Sequence, residues 1–75
     1  LDMTRLKRIT EQEMTQRELD VLLKVAEGKT NQAIADELFI SLHTIKSHLK
    51  NIFIKLDVAS RAEAIVLLNK IKITP

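Results

Sequence analysis

The stretch that decides the fold is residues 30–56, which read TNQAIADELFISLHTIKSHLKNIFIKL. Its second half carries apolar residues at spacings of four, three and four, which is the period of one helix face. These residues are Ile45, Leu49, Ile52 and Leu56. Because Ser41 is a residue type that caps helix N-termini, the pattern predicts a helix over about 41–56.

The first half of the same stretch predicts a shorter helix over about 31–38, which Thr30 or Asn31 can cap. Phe39 and Ile40 are expected to be apolar anchors in the turn that follows. The residues expected on the apolar face of the short helix are Ile34, Ala35 and Leu38. Two helices separated by about three residues have the spacing of a helix-turn-helix.

Capping signals add one helix on each side of this pair. Residues 15–18 (TQRE) form a capping box that opens a helix over about 16–27, and Gly28 suits its C-terminal cap. The apolar stripe expected on this helix is Leu19, Leu22, Leu23 and Ala26. Residues 60–63 (SRAE) form a second capping box, which opens a last helix that continues through Ile71.

The predicted fold class is therefore all-α, a four-helix helix-turn-helix domain over residues 14–75. Residues 1–13 are expected to be a linker with some helical tendency. The chain begins with Leu1 rather than Met, which favours a fragment of a longer protein or a processed chain.

The composition excludes several classes of protein. The 75 residues contain no cysteine and two histidines, His43 and His48, whose spacing of five does not place them on one helix face, so no metal site is expected. Only 3% of residues are aromatic, too few for base-stacking RNA platforms, and the single glycine excludes a Gly-rich phosphate loop. No apolar run approaches the roughly 20 residues of a membrane span, and a cytoplasmic location without membrane association is expected.

Charge is segregated along the chain, although the net charge is only +2. Residues 41–56 contain three lysines and no acid, whereas residues 11–40 contain seven acids and three bases. A helical wheel places one set of polar residues opposite the apolar face of the third helix: His43, Lys46, Ser47 and Lys50. A slender, acid-free helix after a three-residue turn is what insertion into the DNA major groove requires, although lysines on a helix face are often only a solvated surface.

Four segments together closely resemble the LuxR/FixJ-type (GerE-like) helix-turn-helix family of bacterial transcription regulators. They are residues 14–18 (MTQRE), 26–35 (AEGKTNQAIA), 40–48 (ISLHTIKSH) and 51–58 (NIFIKLDV), with Arg61 and Ala64 completing the pattern. The resemblance implies a DNA-binding output domain of a response or transcription regulator, with the third helix in the major groove and the last helix in the dimer contact. It implies that residues 1–13 lead from a signal-receiving domain on the N-terminal side. It also implies double-stranded DNA as the partner, no cofactor, and RNA polymerase as an additional candidate partner.

Carried over position by position, the resemblance assigns Lys46, Ser47 and Lys50 to the base-facing surface, to which the wheel adds His43. The residues expected near the DNA backbone are Thr30, Asn31, Ser41, Thr44, His48, Asn51 and Lys55. Two of these have structural alternatives, since Thr30 and Asn31 can also cap a helix. His48 is interpreted mainly as a partly buried packing residue. Glu18 is interpreted mainly as a capping residue, with Arg61 or another base as an alternative partner.

The last helix carries apolar residues on nearly every side, which a 75-residue monomer does not easily cover. A twofold dimer on DNA through this helix would match two half-sites one turn apart. The residues expected at this interface are Arg61, Ala62, Ile65, Val66 and Asn69. The alternative is that an N-terminal domain covers Val66 and Leu67.

Two rival classes remain at this point. A protein-interaction module would use the last helix and ignore nucleic acid. An enzyme would need paired acids or a nucleophile with a base, and the acids are expected on solvated faces, so no catalytic residue is assigned. A phosphorylated receiver domain and a small-molecule-binding domain are equally compatible as the source of the signal.

Overall fold

The computed structural model describes residues 3–71, which are helical apart from short connections. Helix α1 spans Met3–Arg8 and continues into a π-helical turn, Ile9–Glu13. The remaining helices are α2 (Gln16–Ala26), α3 (Asn31–Leu38), α4 (Leu42–Leu56) and α5 (Arg61–Ile71). The all-α class is confirmed, and α2 to α5 correspond to the four predicted helices. The segment expected to be a linker is helical over residues 3–13.

The predicted caps account for where the helices begin. The Thr15 hydroxyl accepts from the Glu18 N–H at 3.1 Å, and the Glu18 carboxylate accepts from the Thr15 N–H at 2.9 Å, so this capping box is complete. Thr30 and Ser41 cap α3 and α4 in the same way. At α5 the Ser60 hydroxyl caps the Glu63 N–H, but the Glu63 carboxylate accepts from Ala59 instead of Ser60.

Three helices end in a left-handed residue followed by a pair of backbone hydrogen bonds. Gly28, at φ +84°, ends α2 as predicted, with bonds from its own N–H and from that of Lys29 to carbonyls of the last turn. Phe39 and Asp57 take the same conformation at φ 58° and 57°. Phe39 is 93% exposed, so the expectation that it anchors the turn is wrong. Its backbone conformation turns the side chain to solvent, while Ile40 packs against the core.

The core lies between α2, α3 and α4 and is closed by α5 and the π-helical turn. All four residues of the predicted apolar face of α4 are buried, as are Ile34 and Ala35 of α3. Ile9, 5% exposed, joins this core from the N-terminal segment.

The buried face of α2 is rotated by about one residue from the predicted stripe. Leu23 is 63% exposed and Ala26 is exposed, whereas the buried residues are Glu18, Val21, Leu22 and Val25. Both sets have helical spacing, so periodicity alone did not distinguish them. The rotation brings the carboxylate of the capping residue Glu18 inside the fold. No helix in the described part of the chain is long and apolar enough to cross a membrane.

Candidate nucleic-acid interface

The turn of the helix-turn-helix, residues 39–41, presents the N-terminus of α4. The Ser41 hydroxyl accepts from the Thr44 N–H at 3.0 Å and lies 2.9 Å from the Thr44 hydroxyl. Both side chains are thereby held at the first turn of α4, where backbone N–H groups lack helical partners. This end of α4 therefore presents two hydroxyl groups and the positive end of the helix dipole to an approaching anion.

The side of α4 that points away from the core is exposed along the whole helix. The base-facing residues predicted from the sequence, His43, Lys46, Ser47 and Lys50, all lie there and are exposed. We call these four residues the outward face of α4. A helix of 15 residues is roughly 22 Å long and can enter a groove about 12 Å wide.

Lysines differ sharply in their surroundings across the described residues. No carboxylate there lies within 4.0 Å of the ammonium groups of Lys46 or Lys50. By contrast, Glu37 of α3 binds Lys24 at 3.0 Å and Lys29 at 2.9 Å. Hydrogen bonds from Lys29 and Lys24 lower the pKa of Glu37, and the same contact raises the pKa of Lys29. Positive charge on the outward face of α4 is thus uncompensated locally, whereas Lys24 and Lys29 are paired with Glu37.

Lys55, at the end of α4, is engaged inside the domain. Its Nζ donates to the Glu18 carboxylate at 2.6 Å, and Glu18 is 4% exposed. The same carboxylate oxygen accepts from the Thr15 N–H. One buried acid therefore links the start of α2 to the end of α4. The sequence left another base open as a partner of Glu18, and that base is Lys55 and not Arg61.

Opposing effects set the ionisation of Glu18. Burial by itself would raise its pKa, but the hydrogen bond from Lys55, with those from Thr15 and the charge of Lys55, lowers the pKa below its ordinary value. Glu18 is accordingly a carboxylate whose negative charge is stabilised by the folded state.

The start of α3 is tied to the start of α5 by Arg61. Its guanidinium donates to the Asn31 side-chain oxygen at 2.6 Å and to the Lys29 carbonyl. Thr30 meanwhile caps α3 through a 3.1 Å bond from the Ala33 N–H. Arg61, which the sequence assigned to a dimer interface, is half-buried and bonded to its own chain.

The residues expected near the DNA backbone differ in their exposure. Thr30, Ser41 and Asn51 are exposed, whereas Asn31, Thr44, His48 and Lys55 are half-buried. The partial burial of His48 agrees with its interpretation as a packing residue. Among the described residues no three His, Asp or Glu side chains come together as a metal site.

Helix α5 is packed on one side and open on the other. Ala64 is buried and Leu68 packs against the core, while Val66 remains 53% exposed. A shallow apolar groove runs along the open side, lined by Val58, Ala62, Glu63, Val66, Leu67 and Lys70. Of the residues expected at a dimer interface, Ala62, Val66 and Asn69 are exposed and Ile65 is half-buried.

Sequence reasoning missed two features of this interface. Ile54 is 67% exposed and lies 11 residues after His43, which is a helical repeat of the outward face. A helical wheel of α4 places Ile54 with the outward face, at a position where the other side chains are polar. The Arg61 to Asn31 bond joins residues 30 positions apart and left no local pattern to detect.

Comparison with known proteins identifies the class to which this interface belongs. Residues 12–68 match the family model described as bacterial regulatory proteins, luxR family. The match covers most of the chain and includes α2 to α4 entirely. The chain belongs to this family, and its fold is the helix-turn-helix domain of DNA-binding transcription regulators, which is not an enzyme class.

Individual relatives are bacterial regulators of greater length. The chain is 53% identical over 53 residues to the transcriptional regulatory protein LiaR of Bacillus subtilis, a match that covers 71% of this chain and 25% of LiaR. It is 50% identical over 52 residues to the uncharacterized transcriptional regulatory protein YhcZ of the same organism, covering 69% and 24%. It is 42% identical over 53 residues to the response regulator protein VraR of Staphylococcus aureus, covering 71% and 25%. The matched part is about a quarter of each relative's length.

Proposed function

We propose that this domain binds double-stranded DNA sequence-specifically in the bacterial cytoplasm, as the output domain of a response-regulator type of transcription regulator. The observation that carries the proposal is the uncompensated positive charge of Lys46 and Lys50 on an exposed, acid-free face of α4. DNA phosphates attract such a surface, and a lysine can donate bidentately to the O6 and N7 acceptors of guanine. Family membership and the similarity to LiaR and VraR support the same function.

In the proposed complex, α4 lies in the major groove with its outward face toward the bases. Lys46, Ser47, Lys50 and His43 supply donors to base edges. The proposed backbone contacts come from Thr30, Asn31, Ser41, Thr44, His48 and Asn51. Lys55 completes the set, because an ammonium group has three donors and only one is committed to Glu18.

The open side of α5 is proposed to pair with a second copy on DNA. Val66 is a large apolar residue that is half exposed, and its neighbours Ala62, Ile65 and Asn69 continue the surface. A twofold pairing there would let two copies of α4 reach half-sites about one helical turn apart. Arg61, at the start of α5, would lie at the edge of this interface. RNA polymerase is a further proposed partner of the DNA-bound form.

The central experiment selects bound sequences from random duplex DNA and measures affinity for selected and random duplexes over a range of salt. We expect log K to fall linearly with log salt concentration, with a slope of roughly −0.9 per neutralised phosphate. Binding that is absent or insensitive to salt would contradict the proposal and favour a protein-interaction module.

Lys50→Ala separates base contact from phosphate contact. We expect it to weaken binding to the selected sequence by about 1 to 3 kcal/mol and binding to random DNA by less, because a base contact is lost. Lys24→Ala is the matched control, since Lys24 is bound to Glu37, and should leave both affinities unchanged. Equal losses on both DNAs for Lys50→Ala would reassign Lys50 to phosphate.

Val66→Asp tests the dimer. We expect this variant to bind a single half-site like the unmodified domain and to lose the added affinity for two half-sites, since a charge would enter the apolar contact. Leu23→Asp is the control, because Leu23 is exposed to a similar degree on α2. Unchanged cooperativity between half-sites in Val66→Asp, measured by gel shift and sedimentation, would contradict pairing through α5.

A further inference from the structure

The contact between Arg61 and the start of α3 has a geometry that fixes an amide group. Arg61 donates from one guanidinium nitrogen to the Asn31 Oδ1 and from the other to the Lys29 carbonyl. A guanidinium only donates, so the oxygen of the Asn31 amide must face it. The Nδ2 group, with two N–H donors, then points away from Arg61, and no described residue accepts from it.

The electrostatics around this contact favour an anion. Both acceptors of Arg61 are neutral, and no carboxylate of the described residues lies within 4.0 Å of its guanidinium. Its positive charge is therefore retained beside the N-terminus of α3, which is the positive end of that helix dipole. The positive charge of Arg61 and the positive end of the α3 dipole lie at the same place, and both favour binding of a phosphate there.

We propose that Arg61 is a positioning residue for DNA binding, holding the Asn31 amide so that its N–H donors face a backbone phosphate. This inference rests on the proposed function, because it explains how the Asn31 amide is oriented for the phosphate contact proposed there. Arg61 acts from α5 across a separation of 30 residues, within one copy of the chain. Its role is thus distinct from a contact across a dimer.

The test is a double-mutant cycle with Arg61→Lys and Asn31→Ala on DNA that carries a single half-site, so that dimer contacts do not enter. Lysine keeps the charge but replaces the rigid guanidinium fork, whose two nitrogens reach the two acceptors, with a single ammonium group on a flexible stem. We expect Arg61→Lys to weaken binding on the order of threefold to tenfold with an unchanged salt slope. In the Asn31→Ala background the same substitution should have no further effect. Arg17→Lys, an exposed position on α2, is the control and should bind like the unmodified domain.

Each alternative gives a different result. Normal affinity of Arg61→Lys, or a loss that persists in the Asn31→Ala background, would overturn the inference. A lowered melting temperature with normal affinity of the folded fraction would make the contact structural only, which also overturns it. If the unmodified domain shows no salt-dependent DNA binding at all, the proposed function itself fails. Measuring the unmodified domain beside the variants therefore distinguishes failure of the proposed function from failure of the inference about Arg61.

Discussion

The inner and outer sides of α4 both carry isoleucine and lysine, but these residues have different surroundings on the two sides. On the inner side Ile52 is fully buried, and at the end of the helix Lys55 donates to the buried carboxylate of Glu18. On the outer side Ile54 is 67% exposed, and Lys46 has no carboxylate partner among residues 3–71. Residue type alone therefore does not tell a stabilising side chain from one available to a partner. The difference is set by which side of the helix meets the rest of the domain.

Substituting Ile52 on the inner side and Ile54 on the outer side of α4 should give the largest difference in the free energy of unfolding. Ile52→Ala leaves a cavity in the core and is expected to lower the free energy of unfolding by about 2 to 5 kcal/mol. Ile54→Ala removes an exposed side chain and should change it by less than about 0.5 kcal/mol. Denaturant unfolding measures both. Similar losses for the two variants would show that the sides of α4 do not differ as described.

The two lysines sharpen the same comparison through stability and binding together. Lys55→Met leaves the Glu18 carboxylate buried without its cationic partner, which should destabilise the domain by about 1 to 3 kcal/mol. Lys46→Met should leave stability unchanged. Because Lys46 is proposed to face the bases, this variant should weaken binding to the selected sequence more than binding to random DNA. Thermal unfolding and gel shifts with both DNAs give the two readouts. A stability loss in Lys46→Met and none in Lys55→Met would reverse the assignment.

The smallest expected effect is the contribution of the Glu18 carboxylate to stability, which the pH dependence of unfolding tests. The pKa of Glu18 is lowered in the folded state, so its contribution to stability is fully present above its ordinary pKa, the value in the unfolded chain, and is lost as the pH falls through the lower folded value. Glu18→Gln should therefore be less stable than the unmodified domain at neutral pH, and the difference should shrink in acid. Unfolding free energies from pH 7 to pH 2.5 measure this convergence.

Glu37→Gln provides the control for the Glu18 measurement. The pKa of Glu37 is also lowered, by hydrogen bonds from Lys29 and Lys24, but this group lies at the surface. Salt should screen its contribution more strongly than that of buried Glu18. At 0.5 M salt the Debye length is about 4 Å, so exposed charges are strongly screened. If the contribution of Glu18 to the free energy of unfolding disappears at this salt concentration, its pair with Lys55 behaves as a surface pair.

Local signals predicted most of the helical frame. Capping residues with strong hydrogen-bonding side chains began α2, α3 and α4 where expected, and Gly28 ended α2. The four-three-four spacing on α4 identified its buried face correctly because the four residues of the outward face, His43, Lys46, Ser47 and Lys50, are polar. On α2 two overlapping apolar spacings compete, so the predicted stripe was rotated. The backbone conformation of Phe39 was also missed, since the turn requires a left-handed residue that an aromatic rarely supplies.

For the candidate interface, the sequence indicated which residues point outward but not what holds them. The exposed positions of Lys46, Ser47, Lys50 and His43 follow from helical geometry once the buried face is known. The Glu18 to Lys55 and Arg61 to Asn31 contacts span 37 and 30 residues, and no local spacing encodes them. The first of these contacts distinguishes Lys55, which is bound to a buried carboxylate, from Lys46 and Lys50, which have no carboxylate partner among the described residues.

The sequence by itself determined helices α2 to α5 and the acid-free composition of α4, because capping, periodicity and charge composition are properties of neighbouring residues. The family followed from the resemblance of four segments of sequence. Only the tertiary structure decided which face of α2 is buried, that Lys55 is bound to Glu18, and that Arg61 holds the start of α3. Those outcomes depend on how whole helices pack. Packing selects among side chains that are equivalent in the linear chain.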